Sequence, residues 1–544
     1  MCVFRCCLAI SFLIATVSAQ QVQPNPGVAV QVSAERLFAH IRILASDEFE
    51  GRGPGSHGED KTVEYLIAQF RKAKLLPGNP DGTYIQSVPL TVLNSHGSIR
   101  FHSAKEDYSL SENEALVYSL RVSPLVEFNH LPVVFAGYGV SDPAAGWDDY
   151  KGLDVRGKLV LVLQNDVRAD AHDPEHAQPH VPALQRHYYT NIHVKIAEAE
   201  RRGAAAVLLI APPAQSDAAW NGQVSRSQEL FRLSSESPGL VMQGFVRRVG
   251  LDRVLTGTDW SYEKLVKAAA GPEFHGLQLD VVVSAKADTT SRQVTSRNVV
   301  ALLPGADAKL AREYIVYSAH WDAFGMDPKR TGDKIYHGAL DDAGGVAQLL
   351  EIARVFRSAF PQPRRSVLFL VTTGEERGLL GSNHYVKEPL YALKSTIAVI
   401  NLDALQPFGR TSDVESVGGQ SSLDRDLGAL AKASGREFAV TNSPLFYSSD
   451  QAPFAIAGVP AIFVASGDTD LKGTTMIQEK LAEAGKCIHQ PCDVPHDDWD
   501  LTGSAEDTQL WFRLGYMVAQ RSTEPGWNDD SLWKPVREKM LKTH

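Results

Sequence analysis

Leu368-Phe-Leu-Val-Thr-Thr-Gly-Glu375-Glu376 is the stretch from which the rest of the chain can be read. The apolar, β-branched run from Val367 to Val371 predicts a strand buried on both faces of a parallel sheet. It breaks at Gly374 and delivers two adjacent carboxylates, which would repel each other unless positive charge lay beside them. In open α/β sheets the crevice beyond the carboxyl ends of the strands is where ligands bind.

Working outward, three more segments bring metal-ligand residue types to the same crevice. Tyr314-Ile-Val-Tyr-Ser-Ala-His320-Trp-Asp322 is a strand ending in His-x-Asp. Gly338-Ala-Leu-Asp341-Asp342-Ala-Gly-Gly345 runs into an apolar-periodic helix through Val346, Leu349, Leu350, Ala353 and Val355. Ile397-Ala-Val-Ile-Asn-Leu-Asp403 is another buried strand ending in a carboxylate. Beyond them, Cys487-Ile-His489-Gln-Pro-Cys492 offers a second histidine from a polar loop. Histidine and carboxylate donors without a cysteine shell suit catalytic zinc, which keeps a coordination position open. Each residue alone has a plainer reading, as a turn, a helix cap or a packed histidine. Their convergence at strand ends and adjoining loops is what points to a site.

These residues, in this order, resemble the co-catalytic two-zinc aminopeptidases, a family that includes bacterial leucyl aminopeptidases and glutamate carboxypeptidase II. The resemblance implies a three-layer α/β/α zinc-peptidase domain with a mixed, mostly parallel sheet, plus an inserted β-rich protease-associated domain. It implies two Zn2+ ions: Asp341 bridging, His320 and Asp403 on one, Glu376 and His489 on the other. Glu375 would be the general base and Asp322 would orient His320. A cis peptide is expected between Asp341 and Asp342. The implied activity is removal of N-terminal residues from peptides by metal-activated water. Single-zinc glutaminyl cyclases share the fold, but the intact pair His320 and Asp403 argues for two metals. A glutamate-carboxypeptidase-like enzyme would need a basic pocket, and none is assignable. A transferrin-receptor-like protein would have lost ligands.

At 544 residues the chain exceeds one ordinary domain. A net charge of −10 argues against nucleic acid or an anionic membrane as partner. Residues 1–19, with Arg5, an apolar core from Leu8 to Val17 and a small-residue end, read as a secretory signal peptide, so the mature chain is expected to be secreted or periplasmic and free of the membrane. Cys2, Cys6 and Cys7 would leave with it. In an exported protein the close pair Cys487 and Cys492 reads as a disulfide.

The expected organisation is residues 20–109 as the first part of the peptidase domain, 110–295 as the insert, 296–525 as the catalytic part and 526–544 as a polar tail. From Val32 to Leu76 two helices flank a glycine-rich turn, with Ser56 and Glu59 in a capping-box pattern. The resemblance brings that turn, with Glu48 and Arg52, near substrate. His172, His176, His180, His187 and His193 show no ligand spacing and are expected on the surface or in a lid. Gln451 stands where relatives often have histidine.

Overall fold

Strands whose every side chain is apolar or small can only be covered on both faces, and the architecture follows from that. The computed structural model describes residues 27–28, 31–103, 106–143, 145–165, 183–227, 229–271 and 274–542. The expected signal peptide and His172, His176 and His180 lie outside the described residues. No described helix is long and apolar enough to cross a membrane.

Seven strands of the main sheet run in the order Glu437–Thr441, Asp413–Val417, Ala461–Ser466, Thr396–Leu402, Tyr314–His320, Ser366–Thr372 and Leu277–Leu303. The central four are parallel to one another, and the flanking pairings with Asp413–Val417 and Leu277–Leu303 are antiparallel. Alternate residues feed two different cores, as the pleat requires. Ile315, Tyr317, Val367, Phe369 and Val371 pack with the helices Ala34–Leu44, His57–Lys72, Gly344–Arg357 and Thr502–Gln520. Val316, Leu368 and Leu370 face the other layer, with Tyr385, Phe454, Trp527 and Trp533. The result is the mixed, mostly parallel three-layer α/β fold expected from the sequence.

A second lobe carries its own cores. Leu125–Phe135, Leu159–Leu163, Ala206–Ile210 and Met242–Val246 pair in parallel, with Ala115–Tyr118 antiparallel at the edge. Helices such as Ile192–Arg201 and Tyr262–Ala269 accompany this sheet. The lobes are joined by continuous backbone. Leu277–Leu303 pairs with Ile85–Ser103 without a break from Val281↔Ser103 to Val299↔Ile85, so the expected boundary at 295/296 falls inside a strand.

The capping box before His57–Lys72 forms only by half. Ser56 Oγ accepts from the Glu59 backbone N–H at 3.3 Å, but the Glu59 carboxylate turns to Arg297 Nε (2.8 Å), Ser296 Oγ (3.0 Å) and the Gly55 N–H. Glu59 is fully buried, and a buried carboxylate takes the strongest donor within reach.

Candidate metal centre

Parallel strands ending together place their next residues side by side, and the ligand candidates arrive this way. His320 is the last residue of its strand, Asp403 follows Leu402, and Glu375 and Glu376 follow the Ser366–Thr372 strand after a short turn. Asp341 sits in the turn leading into Gly344–Arg357, and its peptide bond to Asp342 is cis, as expected. His489 lies on the loop closed by a Cys487–Cys492 disulfide.

The side chains gather into two groups that share one residue: His320, Asp341 and Asp403; and Asp341, Glu376 and His489, each within 4.8 Å. Asp341 Oδ1 is 3.1 Å from His320 Nε2, and its Oδ2 is 3.0 Å from His489 Nε2. His320 Nε2 is also 3.6 Å from Asp403 Oδ1 and 3.8 Å from Glu375 Oε2, while His489 Nε2 is 3.1 Å from Glu376 Oε2. His320 Nδ1 lies 3.1 Å from the backbone carbonyl of Asp322, an acceptor, so Nδ1 carries a proton and the neutral form of the imidazole presents its lone pair at Nε2. That buried Nε2 has no aligned hydrogen-bond partner and faces carboxylate oxygens. The space between that nitrogen and the anionic oxygens suits a proton or a cation, and a neutral imidazole with carboxylates is a donor set that fits divalent zinc.

Asp322 meets His320 through its backbone carbonyl and the double-glutamate turn through its side chain. Its carboxylate stands 3.8 Å from His320 Nδ1 and accepts instead from the backbone N–H groups of Glu375 (3.1 Å) and Glu376 (3.4 Å). The backbone carbonyl of Asp322 orients the imidazole, and its carboxylate holds the double-glutamate turn. Arg52, expected near substrate, is buried and donates to the carbonyls of Leu44, Trp321, His337 and Gly338 at 2.7–2.8 Å. It braces the backbone of both the His320 and the Asp341 segments from below. Glu48 points outward and pairs with Lys61 at 2.7 Å.

Several supports were not singled out in the sequence. Asp342 accepts from His320 N (3.1 Å), Gly345 N (2.7 Å) and Ala404 N (3.0 Å), tying three ligand-bearing segments together. Asp493 accepts from Leu340 N (2.9 Å) and Asp341 N (3.2 Å). Ser318 Oγ donates to Asn401 Oδ1 (2.6 Å), Asn401 Nδ2 to Ser449 Oγ (2.7 Å), and Ser449 Oγ to Asp403 Oδ2. The one available signal was adjacency: Asp342 follows Asp341, and Asp493 follows Cys492. Gln451 is buried and donates to the Phe446 carbonyl, away from the two ligand groups in its bonding.

The crevice is charged beyond what water exclusion tolerates. Burial, reinforced by Asp403, Glu376 and Asp450, pushes the Glu375 carboxyl well above the usual range. Burial and Asp341 raise Glu376. Burial opposes charge on Asp341 as well, but hydrogen bonds and charge from His320 and His489 in their protonated forms override it and hold that carboxyl well below the usual range. A concentration of carboxylates in which one is shared by two imidazoles is the electrostatic form of a cation site.

A three-layer α/β fold whose strand ends converge on two histidine–carboxylate groups sharing an aspartate defines a candidate metal centre. Residues 298–512, which hold all of these candidate ligands, match the model of peptidase family M28. Aminopeptidase NAALADL1 of Mus musculus is 36% identical over 114 residues, covering 20% of this chain and 14% of its own length. A probable zinc metalloprotease of Pyrenophora teres f. teres is 37% identical over 111 residues, covering 20% of this chain and 23% of its own. The chain thus spans less than a quarter of the length of either of these relatives. In overall fold the chain resembles an aminopeptidase from Aneurinibacillus sp. strain AM-1, with a TM-score of 0.50 at 19% identity over 91% of this chain and 96% of that one.

Proposed function

We propose that this chain is a two-zinc aminopeptidase that acts on short peptides outside the cytoplasm. The observation that carries the reading is Asp341, whose two carboxylate oxygens each meet a different histidine, at 3.1 and 3.0 Å. A carboxylate shared in this way is the arrangement of co-catalytic metal sites. His320 and Asp403 would complete one ion's ligands, and Glu376 and His489 the other's. When bound, the ions would polarise the scissile carbonyl and lower the pKa of the attacking water.

The chain's own residues supply the rest. Glu375 lies within 3.8 Å of His320 without belonging to either ligand group. Held beside His320 by the Asp322 grip on its turn, its carboxylate is placed to take a proton from water and hand it to the leaving amine. Asp322 holds the turn that aims Glu375, and Asp342 fixes the backbone between the strand ends.

The second lobe, read as an inserted lid, narrows the mouth. Three observations support that: Asn191 Nδ2 donates to the Tyr447 carbonyl at 2.9 Å, Glu236 pairs with Lys387, and Phe231 stacks on Arg377 beside the double glutamate. The apolar leader at 1–19 supports export. Hydrolysis of aminoacyl and N-blocked dipeptides, with and without chelator, tests the reading. Chelator-sensitive release from free-amine substrates alone is the expected result. Equal turnover of N-blocked substrates, or activity indifferent to chelator, would overturn it. Folded proteins should be cleaved far more slowly than dipeptides, because an added lobe beside the cleft limits entry.

A further inference from the structure

His489 is the outlying ligand. It stands on a loop rather than at a strand end, has a backbone φ of +62°, and its side chain is 43% exposed. The disulfide tethers the loop from its own side. Across the imidazole stands Phe324, edge-on with ring centroids 5.2 Å apart. On Phe324 sits Arg377, its guanidinium carbon 4.9 Å from the ring centre and its Nη2 donating to the Phe324 carbonyl at 3.3 Å. Phe231, 5.0 Å away, is a second aromatic contact of that guanidinium.

Phe231 comes from the middle of the chain. It lies on Leu230–Leu233, paired to Val92 of the long ribbon, and packs with Val88, Leu90, Leu233 and Leu380. Leu380 closes the turn that carries Glu375 and Glu376, its backbone N–H donating to the Gly374 carbonyl at 2.9 Å. The contact series therefore runs from the ribbon that joins the lobes to a ligand of one half-site only. Guanidinium groups on aromatic faces keep preferred geometries, so each member restricts the next.

We propose that Phe231, Arg377 and Phe324 form a brace that positions His489, so that retention of the ion held by Glu376 and His489 depends on the middle segment of the chain being seated. The inference rests on the two-zinc reading above. None of the three residues is a ligand; they act through His489, as outer partners of metal-binding histidines do.

The test is zinc content after dialysis against graded chelator, with thermal unfolding recorded in parallel. Wild-type protein should hold two zinc ions. Phe231→Ala should release one of them at about tenfold lower chelator activity, the scale on which outer partners act. The other ion should stay, and Phe231→Tyr, which keeps the ring, should restore the wild-type profile. Two ions held by Phe231→Ala as tightly as by wild type, or both lost together, would overturn the brace. Wild-type protein with fewer than two ions would instead overturn the two-zinc reading itself. Should Phe231→Ala unfold early, Phe324→Leu reads the same step: it keeps apolar bulk without an aromatic face, and undiminished retention there overturns the proposal equally.

Discussion

The two halves of the candidate centre are built to different standards. His320 and Asp403 stand at the ends of adjacent parallel strands, with side chains 1% and 16% exposed. Their positions are set by the sheet's own hydrogen-bond ladder and by Asp342, which bonds the backbone of both segments' ends. Glu376 and His489 stand on turns, and His489 is 43% exposed. What fixes them is local: the Asp322 carboxylate under the glutamate turn, a disulfide around the histidine, and Phe324 against its ring. A ligand on a strand end inherits the rigidity of the core, whereas a ligand on a loop needs dedicated partners. The strand-end half should therefore fail only when the fold fails, and the loop half should fail alone.

The largest expected effect separates chemistry from binding. Glu375→Gln should keep both zinc ions and lose at least ~10²-fold in turnover, the usual scale of a general base. Glu376→Gln should instead lose metal from the loop half. Metal analysis alongside steady-state rates checks this, and the converse pattern would exchange the two assignments.

Next in size is Asp342→Ala. It leaves the buried His320 and Gly345 N–H groups and the half-buried Ala404 N–H without their acceptor, and an unsatisfied buried donor costs about 1–3 kcal/mol. Denaturant unfolding should show that loss, with zinc at the strand-end half weakened as a consequence. A variant as stable as wild type would remove the argument that this half is held by the core.

The smallest effect on stability is expected from Cys487→Ser. The disulfide spans five positions, and so short a loop constrains the unfolded chain little. Its consequence should appear as easier zinc loss from the Glu376–His489 half, with little change in melting temperature. A large fall in melting temperature without zinc loss would make the bridge a fold element and blunt the contrast between the halves.

The sequence made the strand ends legible because fully buried strands leave an unmistakable apolar run, and an ionisable residue at its end stands out against it. Ser366–Thr372 and Thr396–Leu402 are buried at every position. The same logic does not reach residues whose partners are remote. Arg52 reads as a loop residue available to substrate, but its guanidinium meets the Trp321 carbonyl 269 positions away. Asp322 looks like an imidazole partner because it is two residues from His320, whereas its carboxylate is turned toward a different strand's exit. Glu59 looks like half of a capping box, and Arg297, 238 positions on, diverts it. The junction between the lobes was hidden for a related reason: a change of pattern along the chain marks a change of core, but two strands can run through both cores without a linker.

The most direct test of the account is a zinc titration of metal-stripped protein, following release of the N-terminal residue from an unblocked dipeptide. The account predicts negligible release without metal and a rise that saturates at two equivalents of zinc. Full activity at one equivalent, or release that does not depend on added metal, would contradict it.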